Sequence, residues 1–144
     1  MHVISRYGDT MLLRLVRGEE LVETLTAFCG REGISAGWIE GIGAGDRIEI
    51  SYYDVEKRRY MPTVIEEEFE LLNLLGNVAL KEEKPFLHLH ATAGKKDLSA
   101  MGGHLHSLRI AGTGEIRLTK LPGELRRSLD DETGLWLLEP VRKS

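Results

Sequence analysis

The sequence has a single cysteine, Cys29, so no disulfide within the chain can contribute to its stability. Cys29 falls on the apolar side of a helical repeat, where a free thiol behaves as a small hydrophobe. No apolar run approaches the ~18 residues of a membrane span, and the opening Met1-His2-Val3-Ile4-Ser5-Arg6 lacks the apolar stretch of a signal peptide. The expectation is a cytoplasmic protein with no membrane partner. Positive charge is not in excess either. The 19 Lys and Arg stand against 23 Asp and Glu, and the net charge of −4 repels a nucleic-acid backbone at long range. Three short basic clusters, Lys57-Arg58-Arg59, Lys95-Lys96 and Arg126-Arg127, lie near acidic residues and read as solvated turns. There is no linker, low-complexity tract or solenoid repeat, and no serine-centred nucleophile elbow.

What is present is enough for one core. A chain of 144 residues, 42% of them hydrophobic, fits a single domain over 1–144 without a metal or disulfide staple. Met11 to Val16 is a short apolar run that predicts a strand. After Gly18 the period changes, and Leu21, Val22, Leu25, Phe28 and Cys29 repeat at helical spacing as far as Gly30 or Gly33. From Ile34 onward the pattern is β. Ile34 to Glu40 and the alternating Ile48, Ile50 and Tyr52 read as strands, followed by a polar turn over 54–59 and a return through Tyr60 to Ile65. Phe69 to Leu75 and Val78 to Leu80 are apolar runs separated by Gly76-Asn77, and Pro85 to Ala93 and Gly102 to Ile110 follow. Glu115 to Thr119 alternates, Glu124 to Leu129 predicts a short helix, and Leu135 to Leu138 a last strand. One early helix and many strands predict an α+β fold with a curved, largely antiparallel sheet packed with that N-terminal helix. The 16 glycines suit bulges and tight turns in such a sheet.

Of five histidines, His88, His90, His104 and His106 sit in two His-Leu-His segments on neighbouring predicted strands. Side chains two apart on a strand share a face, with Cβ atoms roughly 6.5 to 7 Å apart, so His88 and His90 can converge on one ion. Zinc takes imidazole nitrogens at about 2.0 to 2.1 Å, and a catalytic site keeps three protein ligands and one open position. The third ligand is His104 with His106 beside it, or the reverse, depending on register. A single His-Leu-His is also what a half-buried strand with a polar outer face looks like; the two together point to a ligand set. With no Cys alternative, the donors favour Zn, with Ni, Co or Fe as other divalent candidates. Among the carboxylates Glu66, Glu67, Glu68 and Glu70, only Glu70 lies inside a strand pattern, which makes it the candidate general base. Gly41-Ile42-Gly43-Ala44-Gly45 is followed by a strand pattern rather than by the helix a phosphate loop needs. It therefore reads as a bulge or close backbone approach near the ligand site.

Glu70 to Leu80, then Pro85-Phe86-Leu87-His88-Leu89-His90, then Gly102-Gly103-His104-Leu105, resemble the plants-and-prokaryotes conserved (PPC) domain. The likeness runs from about Leu12 to Thr119 and includes Gly18-Glu19-Glu20, Gly41-Ile42-Gly43-Ala44 and Tyr52-Tyr53-Asp54; residues 120–144 form a C-terminal extension outside it. The resemblance implies an α+β domain that assembles as a homotrimer with the histidines near a subunit interface. Position by position it places the family's histidines on His88, His90 and His104, and leaves His106 as a neighbour of the ligands. In plants the domain accompanies AT-hook segments in DNA-binding proteins, and prokaryotic relatives often carry a DNA-binding label; this chain has no Arg-Gly-Arg-Pro core.

Three functions follow as expectations. The first is a homotrimeric metalloprotein whose His88, His90 and His104 bind a divalent ion for a small ligand or substrate. If it catalyses, metal-activated water is the simplest chemistry, with Glu70 as base. The second is a DNA-associated or regulatory module, and the third a structural oligomerisation domain. The sequence gives no reason to prefer one substrate class.

Overall fold

The computed structural model describes residues 1–140. One helix, α1 (Leu21–Arg31), follows strands β1 (His2–Tyr7) and β2 (Thr10–Val16). It precedes β3 (Gly37–Asp54), β4 (Arg59–Ile65), β5 (Phe69–Lys81), β6 (Lys84–Gly94), β7 (Ala100–Lys120), β8 (Arg127–Leu129) and β9 (Trp136–Leu138). The architecture is α+β, as the residue pattern implies, and every strand pairing is antiparallel.

The first seven strands form one sheet in the order β1-β2-β7-β6-β5-β3-β4. A further β7–β3 pairing closes β3, β5, β6 and β7 into a ring. Strand β7 is long enough to serve several neighbours. One edge pairs with β6 over Ala100–His104 and with β2 over Thr113–Thr119, while the other follows β3. Between those two partners Glu20 fills the gap. Its carboxylate accepts from Leu108 N at 2.8 Å and also caps α1 by accepting from Glu23 N at 2.5 Å, so one side chain fixes the helix start to the sheet.

The core is continuous. Leu21, Leu25, Phe28 and Cys29 of α1 pack with Leu13, Leu15, Ile39, Leu74, Leu89, Leu105, Leu108 and Ile116 from five strands. The bulge at His106, where Glu49 pairs with Ser107 and Ile50 with Leu105, explains why Leu105 and Leu108 are both buried although three apart.

The structure departs from the residue pattern in several places. Ile34 to Tyr52 is largely one strand, β3, and Gly76-Asn77 does not interrupt β5. Strand β1 carries no alternation because it is an edge strand with almost every residue exposed. The helix expected over Glu124 to Leu129 is absent. Arg127–Leu129 pairs instead with Trp136–Leu138 as a hairpin, because a single helical turn costs more to nucleate than its few bonds return, whereas the hairpin finds partners on β5. Tyr52 does not follow Ile48 and Ile50 into the core and is 73% exposed. The Gly41–Gly45 segment is bulged as expected, but its glycines are pressed against β7 and β5 rather than the histidines: a Cβ on Gly43 would meet Thr113 O, and one on Gly45 would meet the Phe69 ring. The expected extension over 120–144 is described as far as residue 140; positions 141–144 lie outside the described residues.

Candidate metal centre and its cavity

Strand alternation sends Leu87, Leu89 and Ala91 of β6 into the core and leaves Phe86, His88 and His90 on the opposite face. The register decides which histidine of β7 joins them. His90 lies directly across from His104, and His104 is in turn paired with Ser51 of β3. Two glycines make this close packing feasible, since a Cβ on Gly102 would lie 2.8 Å from Ala91 O and one on Gly103 2.7 Å from Ser51 O.

The donor atoms of His88, His90 and His104 all lie within 4.8 Å of one another. Their rings are 5.2 Å (His88–His90), 5.1 Å (His88–His104) and 5.6 Å (His90–His104) apart between centroids. No protein hydrogen bond occupies their ring nitrogens among the described residues. Burial, helped by Arg127 and His90, holds His88 below the usual imidazole pKa. Burial and the surrounding His88, His106 and His90 push His104 down to about 4. Neutral imidazoles with free lone pairs are the form that ligates a transition metal, so the residues present fit a three-nitrogen site.

His106 has a different attachment. Its Nε2 is 2.6 Å from the hydroxyl of Ser51, a residue only 5% exposed, and its ring lies 4.9 Å from that of His104. Tyr60 of β4 stacks near both rings, at 4.8 Å from His104 and 5.1 Å from His106. His106 is thus a fixed neighbour of the cluster. Glu70 is not brought to it. It is exposed and pairs with Gly94, four positions along β6 from His90, roughly 13 Å of strand.

The histidines form one wall of a cavity of about 670 Å³. Its opposite wall comes from the β8–β9 hairpin, through Arg127 and Gly134 to Leu137. The hairpin is fastened over the sheet by Leu80 N donating to Leu125 O and Tyr53 OH to Thr133 O, both at 2.7 Å, and its own arms are joined by Glu139 N donating to Arg126 O at 2.8 Å. Arg127 is not the solvated turn residue its sequence context suggests. It is 7% exposed, with Nη1 donating to Trp136 O and Nη2 to Asn77 Oδ1, both at 2.7 Å. Asn77 is the cross-strand partner of His88, which sets the guanidinium beside the cluster. Arg126 is the more accessible member of the pair and bonds Glu83 and Glu124.

The Plants and Prokaryotes Conserved (PCC) domain matches residues 4–122 of the chain. The chain belongs to the PCC domain family. Solved structures agree with that membership. The PCC chain is 36% identical to a plant- and prokaryote-conserved protein of Pyrococcus horikoshii, with a TM-score of 0.88 and 94% of each chain covered. It is 38% identical to a metal-containing protein of Archaeoglobus fulgidus, with a TM-score of 0.87 and coverage of 97% of this chain and 99% of the other. It is 31% identical to a Bacteroides thetaiotaomicron protein with a provisional DNA-binding label, with a TM-score of 0.91 and 94% of each chain covered. No curated protein matches the chain. The family match stops at residue 122, so Arg127 and Trp136, which line the cavity, lie beyond it.

Sequence reasoning missed Ser51, Tyr60, Lys81, Phe86, Arg127 and Trp136. Of these only Phe86 carried a signal, since it precedes His88 at the same-face spacing of two.

Proposed function

We propose that this PCC protein is a metal-binding protein in which His88, His90 and His104 hold one divalent transition ion, zinc being the best match to three imidazoles. The carrying observation is the convergence of the three donors within 4.8 Å on one face of two paired strands. The metal-containing relative from Archaeoglobus fulgidus supports the reading. When bound, such an ion supplies Lewis-acid polarisation of an oxygen-bearing ligand. The chain's own residues supply the rest. The cavity admits a small molecule beside the histidines, Ser51 holds the His106 ring in place next to His104, and the β8–β9 hairpin walls the cavity opposite the imidazoles.

The same reading includes a homotrimer. Trp38 and Ile42 of β3 and Leu72 and Leu75 of β5 are large apolar side chains left exposed on the sheet. Leu75 is the cross-strand partner of His90, so a subunit covering this patch would border the metal centre. Light scattering should return three times the 16.2 kDa chain mass; a monomer would remove this part of the reading.

The test of the metal site is bound metal per chain by plasma mass spectrometry after zinc addition and dialysis. Wild type should retain about one ion per chain and His90→Ala almost none, since a third of the ligand set is gone. No uptake by wild type, or equal uptake by the variant, overturns the site. A DNA-associated module is the second reading, favoured by the label on the Bacteroides relative. Duplex binding at physiological salt with a steep salt dependence would support it, and the net charge of −4 argues for the opposite result.

A further inference from the structure

The cavity beside the histidines has an unusual charge balance. Among the described residues two fixed cations, Arg127 and Lys81, line it, and no aspartate or glutamate does. Arg127 is nearly inaccessible, yet among the described residues its hydrogen bonds go to a carbonyl and an amide oxygen, both neutral, its guanidinium carbon lies 5.6 Å from the Phe86 ring centroid, and its buried Nε has no hydrogen-bond acceptor. Leaving a buried guanidinium without a counter-charge is costly, and most proteins avoid it by pairing the group with a carboxylate. Lys81 is likewise without an ion-pair partner among the described residues. Its ammonium is held by aromatic faces, 4.4 Å from the Trp136 ring centroid and 5.4 Å from that of Phe86. The remaining walls are largely apolar, including Val55, Leu135 and Leu137.

We infer that the cavity binds an organic monocarboxylate with an apolar or aromatic body, its carboxylate neutralising Arg127 and Lys81 and its body packing on Phe86 and Trp136. A carboxylate on an apolar body suits this site better than an inorganic phosphate, because the walls around Arg127 and Lys81 are largely apolar, and three of the five guanidinium N–H donors remain after the bonds to Trp136 O and Asn77 Oδ1. The volume accommodates a ligand of ordinary metabolite size. Arg127, Trp136 and Leu137 all come from the hairpin beyond the family match, so this segment sets which acid is accepted. The inference builds on the metal reading in one respect, that the acid lies beside the three imidazoles.

The test compares aromatic acids with their neutral amides on the full chain, metal-free and zinc-loaded: benzoate with benzamide, phenylacetate with phenylacetamide, and 3-phenylpropionate with its amide. Affinities come from amide chemical-shift titrations. At least one acid should bind about ten-fold or more tightly than its amide, as a charge-assisted bond to a buried cation implies. Arg127→Met should bring that ratio close to one, and Lys81→Met should reduce it by about two- to five-fold, since the ammonium is less buried. Should Arg127→Met fail to fold, the acid–amide ratio in wild type and in Lys81→Met still decides. Equal binding of every acid and its amide, or no binding of either, overturns the inference, as does a preference that survives in folded Arg127→Met. Acid preference in the metal-free protein together with no metal uptake would uphold the inference and reject the metal site. Metal uptake without acid preference would do the reverse.

Discussion

Strands β5 and β6 run between two ends of contrasting chemistry. At the end near Gly94, the acidic residues Glu66 and Glu67 meet Arg47 and Lys95 in open solvent, at 3.4 and 2.8 Å. Such exposed pairs contribute little, about 0 to 1 kcal/mol each. At the other end Lys81 and Arg127 line a cavity with three converging imidazoles and, among the described residues, no carboxylate. The acidic end is richer in charged groups, but Glu66, Glu67, Glu68 and Glu70 are exposed and two of these carboxylates already hold a cation each. The converging lone pairs and unpaired cations lie at the other end, whereas Glu70, singled out because it lies inside a strand pattern, falls beside Gly94.

The same substitution at the two ends should separate them most clearly. A Cβ on Gly76, opposite Leu89 and next to the Asn77–His88 pair, would lie 1.9 Å from His88 O, so the backbone carrying a proposed ligand must move. Gly76→Ala is expected to cost about 1 to 3 kcal/mol in thermal or denaturant unfolding and to weaken zinc uptake. A Cβ on Gly94 would meet only the Leu72 side chain, at 3.0 Å or more, which can turn away. Gly94→Ala should therefore leave metal uptake intact and change stability by less than about 1 kcal/mol. Equal effects at both positions would break the contrast.

The metal-free protein should next show a pH dependence belonging to the histidine end. His104 titrates at about 4 when folded, against about 6.5 in an unfolded chain, so the unfolded state binds more protons between those values. Its stabilising contribution is complete above about pH 6.5 and is lost as pH falls toward 4, with His88 shifting in the same direction. Melting temperatures measured from pH 4 to 7 should rise over this window, and His104→Asn should flatten the rise. A profile unchanged by the substitution would mean that other groups dominate. The smallest effect is expected at the acidic end. Glu70→Gln should alter stability by no more than about 0.5 kcal/mol and leave metal content unchanged, since the side chain is exposed and distant from the cluster.

The parts of this arrangement that were legible in the sequence are those governed by local period. The helix is set by Leu21, Leu25, Phe28 and Cys29, all buried, and the shared face of His88 and His90 follows from a spacing of two. The choice between His104 and His106 was not local. It depends on how β6 and β7 align, and the observed His90–His104 pairing settles which imidazole joins the other two. Glu70 was misplaced because nothing in the sequence marked the β5–β6 turn. That turn is Glu82-Glu83, both with positive φ, at 50° and 63°, where a two-residue hairpin ordinarily shows Asn-Gly. With the turn known, pairing puts Asn77 against His88 and Leu75 against His90, and Glu70 falls at the far end. Arg127 was hidden for a further reason. Its burial depends on two three-residue strands, Arg127–Leu129 and Trp136–Leu138, too short to carry a periodic pattern.

The proposed function requires three imidazoles to meet at one ion, and X-ray absorption at the zinc edge of the loaded protein tests that most directly. The predicted spectrum shows about three imidazole nitrogens near 2.0 Å with a light-atom ligand completing the shell. A shell without histidine scattering, or with sulfur from Cys29, would contradict it.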